Sequence, residues 1–277
     1  MQKLSDELRK TGRIGFVPTM GYLHDGHLSL VRKARELGDI TVVSIFVNPI
    51  QFGPQEDLAK YPRDFKRDAT LLEKEKTDII FHPFAEEMYS HDFSTFVEVR
   101  ELQDHLCGKT RAGHFLGVAT VVAKLFNIVK PHFAVFGQKD FQQLLVIQKM
   151  VRDLNMDIEI IGHQTIREKD GLAMSSRNAY LSKTDREKAL LISASLKKAE
   201  KLFLEGERNA AVLKQEVENT LHEKEGHEKE DIDIEYVSIC NTRTLQDVVT
   251  IRSSAVLAVA CRIGKTRLID NTILTEA

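Results

Sequence analysis

The chain has 277 residues, 42% apolar and 29% charged, which excludes disordered, fibrous and disulfide-scaffold classes and suits one large domain or two ordinary ones. Thirty-nine basic against 41 acidic residues leave a net charge of -2, so no whole-molecule field draws the chain to nucleic acid or anionic membrane, and its partners are selected by a site. Cys107, Cys240 and Cys261 lie far apart without CxxC spacing, which suits reduced thiols and makes the cytoplasm the expected compartment.

Lys3, Asp6, Glu7, Arg9, Lys10 and Arg13 leave no room for the apolar stretch of a signal peptide. A first strand is predicted at Ile14 to Val17, followed by a helix that begins near Leu28, repeats through Val31, Ala34 and Leu37, and ends at Gly38. A second strand at Ile40 to Val47, a helix through Phe65, Ala69 and Leu72, and a third strand at Asp78 to Phe81 follow. Phe115 to Val129, interrupted by Lys124 and short of the roughly 20 residues that span a bilayer, reads as a buried helix. Then come a fourth strand at His132 to Phe136, a helix through Phe141, Leu144, Gln148 and Val151, and a fifth strand at Ile158 to Ile161.

The strands are dense in β-branched residues and apolar on both faces, as a parallel sheet covered by helices on both sides requires. Residues 1–167 are therefore expected to form a doubly wound, Rossmann-like α/β domain. Beyond them, helical stretches at Arg186 to Leu204 and Ala210 to Leu221 precede strand-like runs at Ile232 to Ile239, Ala255 to Cys261 and Arg267 to Ile269. Residues 168–277 thus read as a second, smaller α+β domain. His222 to Asp231, almost entirely charged, reads as a solvated loop.

No GxGxxG follows a strand, and Gly264-Lys265-Thr266 has Val259 where a phosphate loop needs its first glycine, so dinucleotide redox and P-loop chemistry recede. After the first strand comes Pro18-Thr19-Met20-Gly21-Tyr22-Leu23-His24-Asp25-Gly26-His27. A helix start with open amides, the positive dipole end and two imidazoles on one turn suits an anion, although either histidine is also an acceptable cap or loop residue. Phe136-Gly137-Gln138-Lys139-Asp140-Phe141-Gln142-Gln143 turns from the fourth strand into a helix. Lys139 there offers a mobile point charge and Gln143 an amide, or Lys139 and Asp140 simply decorate a helix start.

Phe46-Val47-Asn48-Pro49-Ile50-Gln51 puts Asn48 and Gln51 on a proline-stiffened loop among apolar neighbours, where amides grip a small polar ligand or Asn48 merely holds its own turn. In the loop between the domains, Met174-Ser175-Ser176-Arg177-Asn178 joins hydroxyls, a guanidinium and an amide. That set suits phosphate oxygens and is equally ordinary turn chemistry. None of these segments supplies an activated nucleophile, a close carboxylate pair or a metal-ligand cluster. Together they describe a positioning enzyme for phosphate chemistry.

Six segments, PTMGYLHDGH, FVNPIQFGP with the later YPRD, RAGHF, FGQKDFQQ, DGLAMSSRN and RLIDN, resemble the pantothenate synthetase family of the HxGH nucleotidyltransferases, in its order and over nearly the whole chain. The resemblance implies ATP-dependent joining of pantoate to β-alanine through a pantoyl adenylate, with Mg²⁺ bridging the phosphates and a homodimer as the assembly. It implies ATP contacts from Met20, Gly21, Tyr22, Leu23, His24, Asp25, Gly26, His27, Gly137, Gln138, Lys139, Asp140, Ile166, Met174, Ser175, Ser176 and Arg177. Among these, His24, His27, Lys139, Ser175, Ser176 and Arg177 would carry catalysis, with His27 the proton donor to pyrophosphate. Gln51 and Gln143 would bind pantoate, and Gln51 would also meet β-alanine. Two positions depart from the family pattern: Gln138 stands where Glu is usual, and Ile50 where Met is usual, a near volume-neutral change. The residues alone also admit another nucleotidyltransferase, or a silent nucleotide-binding module.

Overall fold

A computed structural model describes every residue except Gln55, 223–231 and Ala277, so most of the expected charged loop lies outside the described residues. The chain forms two compact units, Met1–Asp104 with Gly108–Thr165, and Ile166–Ala277 with His105–Cys107.

In the first unit, strands β1 (Ile14–Thr19), β2 (Ile40–Ile45), β3 (Ile79–Phe81), β4 (Phe133–Gly137) and β5 (Glu159–His163) form a parallel sheet in the order β3-β2-β1-β4-β5. Its helices are α1 (Gln2–Leu8), α2 (Asp25–Leu37), α3 (Phe65–Lys74), α4 (Ala85–Met88), α6 (His114–Val129) and α7 (Phe141–Asp153), with α5 spanning Leu106–Thr110. Side chains alternate between the two faces of a strand. Val17, Val43 and Val135 accordingly pack with Leu28, Val31 and Ala34 of α2 and Leu72 of α3. From the other face, Phe16 and Phe136 meet the ring of Phe126 on α6 edge-on, at 6.3 and 6.4 Å between centroids. Both faces are covered, which is why the strands read as apolar throughout.

Most of α6 is buried, as its composition indicates. Its one interrupting cation, Lys124, lies over the rings of Tyr89 and Phe93 at 5.6 and 4.8 Å, keeping its charge against aromatic faces.

Three differences from the sequence reading bear on the site. Strand β2 stops at Ile45, two residues early, because Pro49 opens a 3-10 turn through Gln51 and a proline has no amide to extend a ladder. Helix α2 starts at Asp25 and not near Leu28, since its first turn is polar and carries no apolar period. The stretch between β3 and α6 contains only short elements, too brief for periodicity to detect.

Connections from β1 and β4 leave toward opposite edges of the sheet. The ends of these adjacent strands thus form the topological switch point, where open α/β sheets bind ligands.

The second unit holds α8 (Lys183–Leu204), α9 (Ala210–His222) and strands β6 (Ile232–Asn241), β7 (Ser254–Ile263) and β8 (Thr266–Thr275), paired antiparallel as β6-β7-β8. Ile192, Leu196 and Phe203 of α8 and Leu213 and Val217 of α9 pack with Ile239, Leu257, Val259 and Leu274 of the sheet. Among the described residues no helix is long and apolar enough to cross a membrane.

Candidate active site

The chain leaves β1 through Thr19, whose hydroxyl donates to the Ser44 carbonyl at 2.7 Å and accepts the Gly21 amide at 3.2 Å. Gly21 and Tyr22 then take left-handed conformations, φ 82° and 50°. Glycine adopts that region freely, whereas the tyrosine has to be held there. What holds it is Asp68 of α3, a buried carboxylate that accepts the Tyr22 amide at 2.6 Å and the Leu23 amide at 2.8 Å. Burial pushes the Asp68 carboxyl up, while the Leu23 and Tyr22 amides and the Arg67 guanidinium pull it back. The sequence reading offered the open amides of the helix start to an anion; the Tyr22 and Leu23 amides that Asp68 takes precede that start at Asp25.

His24 is the N-cap of α2 and His27 its third residue; their rings lie 4.0 Å apart. The His24 amide donates to Nδ1 of His27 at 3.4 Å, so the proton of a neutral His27 ring belongs on Nε2. Burial, then the neighbouring charges of His24 and Lys139, push the His27 imidazolium well below the usual histidine range. Without a bound anion His27 is therefore a neutral donor through Nε2. Lys139 is near enough for its charge to add to that shift. Lys139 sits on the 3-10 turn Gln138–Asp140 that leaves β4 behind Gly137, so the ends of β1 and β4 bring a donor and a cation to the switch point.

Gln51 is buried. Its amide nitrogen donates to Met20 Sδ at 3.1 Å and its oxygen accepts Asn48 Nδ2 at 3.0 Å. Gln51 thus abuts the start of the loop that carries HDGH. Asn48 does more than hold its own turn. Its Nδ2 also donates to the Gly117 carbonyl at 3.1 Å, and its Oδ1 accepts the Tyr89 hydroxyl at 2.7 Å. Burial pushes the Tyr89 phenol up, so it donates at any physiological pH. Gly117 of α6 lets the 3-10 turn lie directly on the helix: a Cβ there would stand 2.5 Å from the Ile50 carbonyl oxygen and 2.7 Å from Gln51 N and Cα. Gln143 is half-buried on the first turn of α7, and its neighbour Gln142 turns inward to donate to the Leu102 carbonyl at 2.8 Å.

In the second unit, Ile166 accepts the Met174 amide at 3.0 Å, and Arg167 pairs with Ala173 across a turn made at Gly171, φ 98°. Ser175 caps the 3-10 helix Ser176–Tyr180, its hydroxyl accepting the Arg177 amide at 3.3 Å. Asn178 donates to Glu168 at 2.7 Å and to the Ala173 carbonyl at 3.1 Å. Arg167 grips Asp270 of the RLIDN segment at 2.6 and 3.1 Å, and Arg186 pairs with Glu168 and Asp170. The segment that carries Met174 to Arg177 is therefore a built hairpin, with Ser175 and Asn178 holding its turn.

Asp68, Tyr89 and His114 belong to this site and were not singled out from the sequence. RAGHF marked the neighbourhood of His114, whereas Asp68 and Tyr89 lie in ordinary polar contexts that signal nothing locally. Among the described residues no three His, Cys, Asp or Glu side chains come together to hold a metal.

The profile of the pantoate-beta-alanine ligase family matches residues 1–273. The chain belongs to the pantoate–β-alanine ligase family. Curated relatives named pantothenate synthetase include that of Thermotoga petrophila, 58% identical over 275 residues that cover 99% of this chain and 96% of the relative. That of Syntrophus aciditrophicus is 53% identical over 277 residues, covering 100% and 95%. Among solved structures, pantothenate synthetase from Thermus thermophilus superposes with a TM-score of 0.92 at 43% identity, covering 98% of each chain. The Francisella tularensis ligase, complexed with beta-gamma ATP and β-alanine, superposes with a TM-score of 0.78 at 34% identity, covering 98% of this chain and 94% of that one. Full-length membership of this ligase family sets aside a nucleotidyltransferase of another family and a silent binding module.

Proposed function

We propose that this ligase condenses pantoate with β-alanine, consuming ATP and releasing AMP and pyrophosphate, through a pantoyl adenylate. The observation that carries the reading is the meeting of HDGH, Lys139 and Gln51 at the carboxyl ends of adjacent strands, in a chain that matches this ligase family from end to end.

In the first step a pantoate carboxylate oxygen attacks the α-phosphorus, and the bond to the β-phosphate oxygen breaks. Charge builds on the leaving pyrophosphate, where His27 donates through Nε2–H and Lys139 supplies a cation. The phosphates also raise the proton affinity of His27 as they arrive, opposing the burial that keeps it neutral. Gln51 and Gln143 hold pantoate through neutral amides, which orient a carboxylate without the tight ion pair that would blunt its attack. Met174 to Arg177, with Ile166, serve the nucleotide. In the second step the β-alanine amine attacks the acyl carbon, sheds its proton and displaces AMP, and Gln51 meets that amine. Mg²⁺ would enter as part of the MgATP substrate, held mainly by the phosphates, and would offset their charge. We also infer a homodimer from the family resemblance, and a cytoplasmic site of action, which accords with three cysteines that form no disulfide.

The test is product stoichiometry: one pantothenate, one AMP and one pyrophosphate per turnover with pantoate, β-alanine and ATP, and none when isoleucine replaces pantoate. Pyrophosphate release with isoleucine would overturn the reading.

A further inference from the structure

The RAGHF segment has no part in the chemistry above, yet it ends on Gln51. His114, the first residue of α6 and buried, contacts the Gln51 carbonyl oxygen through Nδ1 at 2.8 Å. Its Nε2 faces Nη1 of Arg111 at 2.9 Å. Arg111 in turn forks onto Glu56, Nε to Oε1 at 2.6 Å and Nη2 to Oε2 at 2.7 Å. A guanidinium only donates, so His114 Nε2 must accept, which puts the proton on Nδ1 and makes that atom the donor to the Gln51 carbonyl. The tautomer is thus dictated from outside by the Glu56–Arg111 pair.

We propose that Glu56, Arg111 and His114 form a positioning relay that fixes the main chain of Gln51 and thereby aims its side-chain amide at pantoate. The inference rests on the reading of Gln51 as a pantoate contact. Three observations converge on it. The Gln51 backbone is held by two residues one turn apart on α6, His114 through the carbonyl and Gly117 through a close approach that leaves no room for a Cβ. The Gln51 side chain is pinned separately by Asn48 and Met20, so the relay governs where the residue sits and not which rotamer it takes. The charges also suit this role, since burial first, then Arg111, lowers the imidazolium of His114 to about 4, with the Gln51 carbonyl, then Glu56 and Asp140, opposing. The ring therefore stays a neutral, single-tautomer donor across the working range. A relay that ended on bulk structure would affect every substrate alike. One that ends on Gln51 affects the acid.

Two isosteres separate the arms of the imidazole. His114→Asn carries an amide donor near the position of Nδ1 and keeps the Gln51 contact, whereas His114→Gln carries an oxygen near Nε2 and keeps only the Arg111 contact. Pantoate and ATP KM values are read from steady-state rates in these variants, in Gln51→Ala, and in the Gln51→Ala/His114→Gln pair. His114→Gln is expected to raise the pantoate KM about tenfold with ATP KM within about twofold, as loss of one partner of a buried carbonyl implies, and His114→Asn to stay within about threefold of wild type. In the Gln51→Ala background His114→Gln should add less than about twofold, because its effect passes through the missing side chain.

Equal effects on both KM values, full additivity in the double variant, or His114→Asn as impaired as His114→Gln would overturn the relay. An unchanged pantoate KM in Gln51→Ala would instead remove the reading on which it rests, a failure visible in that single variant alone. Should His114→Gln not fold, Glu56→Gln loosens the outer end of the chain and is expected to raise the pantoate KM about threefold, leaving that for ATP alone. No change in pantoate KM there, or an equal rise for ATP, counts against the relay.

Discussion

Replacing Asp68 by Asn changes one atom and removes one acceptor from the loop that leads into α2. The carboxylate takes two amides at 2.6 and 2.8 Å, those of Tyr22 and Leu23. An asparagine oxygen keeps one of them, while its NH₂ then faces the other amide donor to donor. Loss of a charge-assisted hydrogen bond is about 1.5–3 kcal/mol, and a buried amide left without an acceptor adds about 1–3 kcal/mol. The deficit is then about 2.5–6 kcal/mol, a large part of the ~5–15 kcal/mol that holds a domain folded. At roughly 2–4 °C per kcal/mol for a unit of this size, the melting temperature should fall by about 5–24 °C. Function suffers separately, because Tyr22 at φ 50° loses what holds it in the left-handed region, and the helix start proposed to meet ATP loses its register. Calorimetry of Asp68→Asn, with ATP binding measured below the transition, checks both. A melting temperature within about 2 °C of wild type and unchanged ATP affinity would refute the clamp.

His27→Ala is expected to slow pyrophosphate release by roughly a hundredfold or more while pantoate binding changes little, the size of loss seen when a donor to developing charge is removed; stopped-flow pyrophosphate detection measures it. Lys139→Met should slow the same step more than Lys139→Arg, since a guanidinium partly replaces a point charge, and equal small losses would reduce Lys139 to a surface role. Stability should fall in acid for a stated reason: unfolded histidine protonates near 6.5, whereas native His114 stays neutral down to about 4 and native His27 is also held well below the usual range. Between these values the unfolded chain binds more protons, so unfolding free energy declines as pH drops from 6.5 toward about 4, by up to about 3 kcal/mol from His114. Urea titrations across that range should show the decline, and His114→Asn should flatten it.

The architecture was legible because the doubly wound sheet writes itself into sequence. Val17, Val43 and Val135 on one face and Phe16 and Phe136 on the other make runs that only two-sided burial explains. The polar ends of these strands, HDGH, Asn48 to Gln51 and Lys139, were legible as positions because they follow the strands directly, while the same residue types also suit caps and turns. What stayed hidden was the layer beneath. Asp68 lies 45 residues from Leu23, Tyr89 lies 41 from Asn48, and His114 lies 63 from Gln51. Such partners meet only after the sheet is assembled, and their local contexts are those of ordinary helix ends. The helix boundary at Asp25 was missed for a related reason: a first turn made of His24, Asp25, Gly26 and His27 is polar and carries no apolar repeat.

Isotope exchange between ATP and pyrophosphate tests most directly the claim that this ligase passes through a free-standing pantoyl adenylate. With pantoate present and β-alanine absent, labelled pyrophosphate should enter ATP, and no exchange should occur without pantoate. Gln51→Ala and Gln143→Ala should weaken the pantoate dependence of that exchange by about 1–3 kcal/mol each, with ATP binding intact. Exchange that requires β-alanine would contradict the adenylate, and variants that lose ATP in place of pantoate would contradict the placement of the two glutamines.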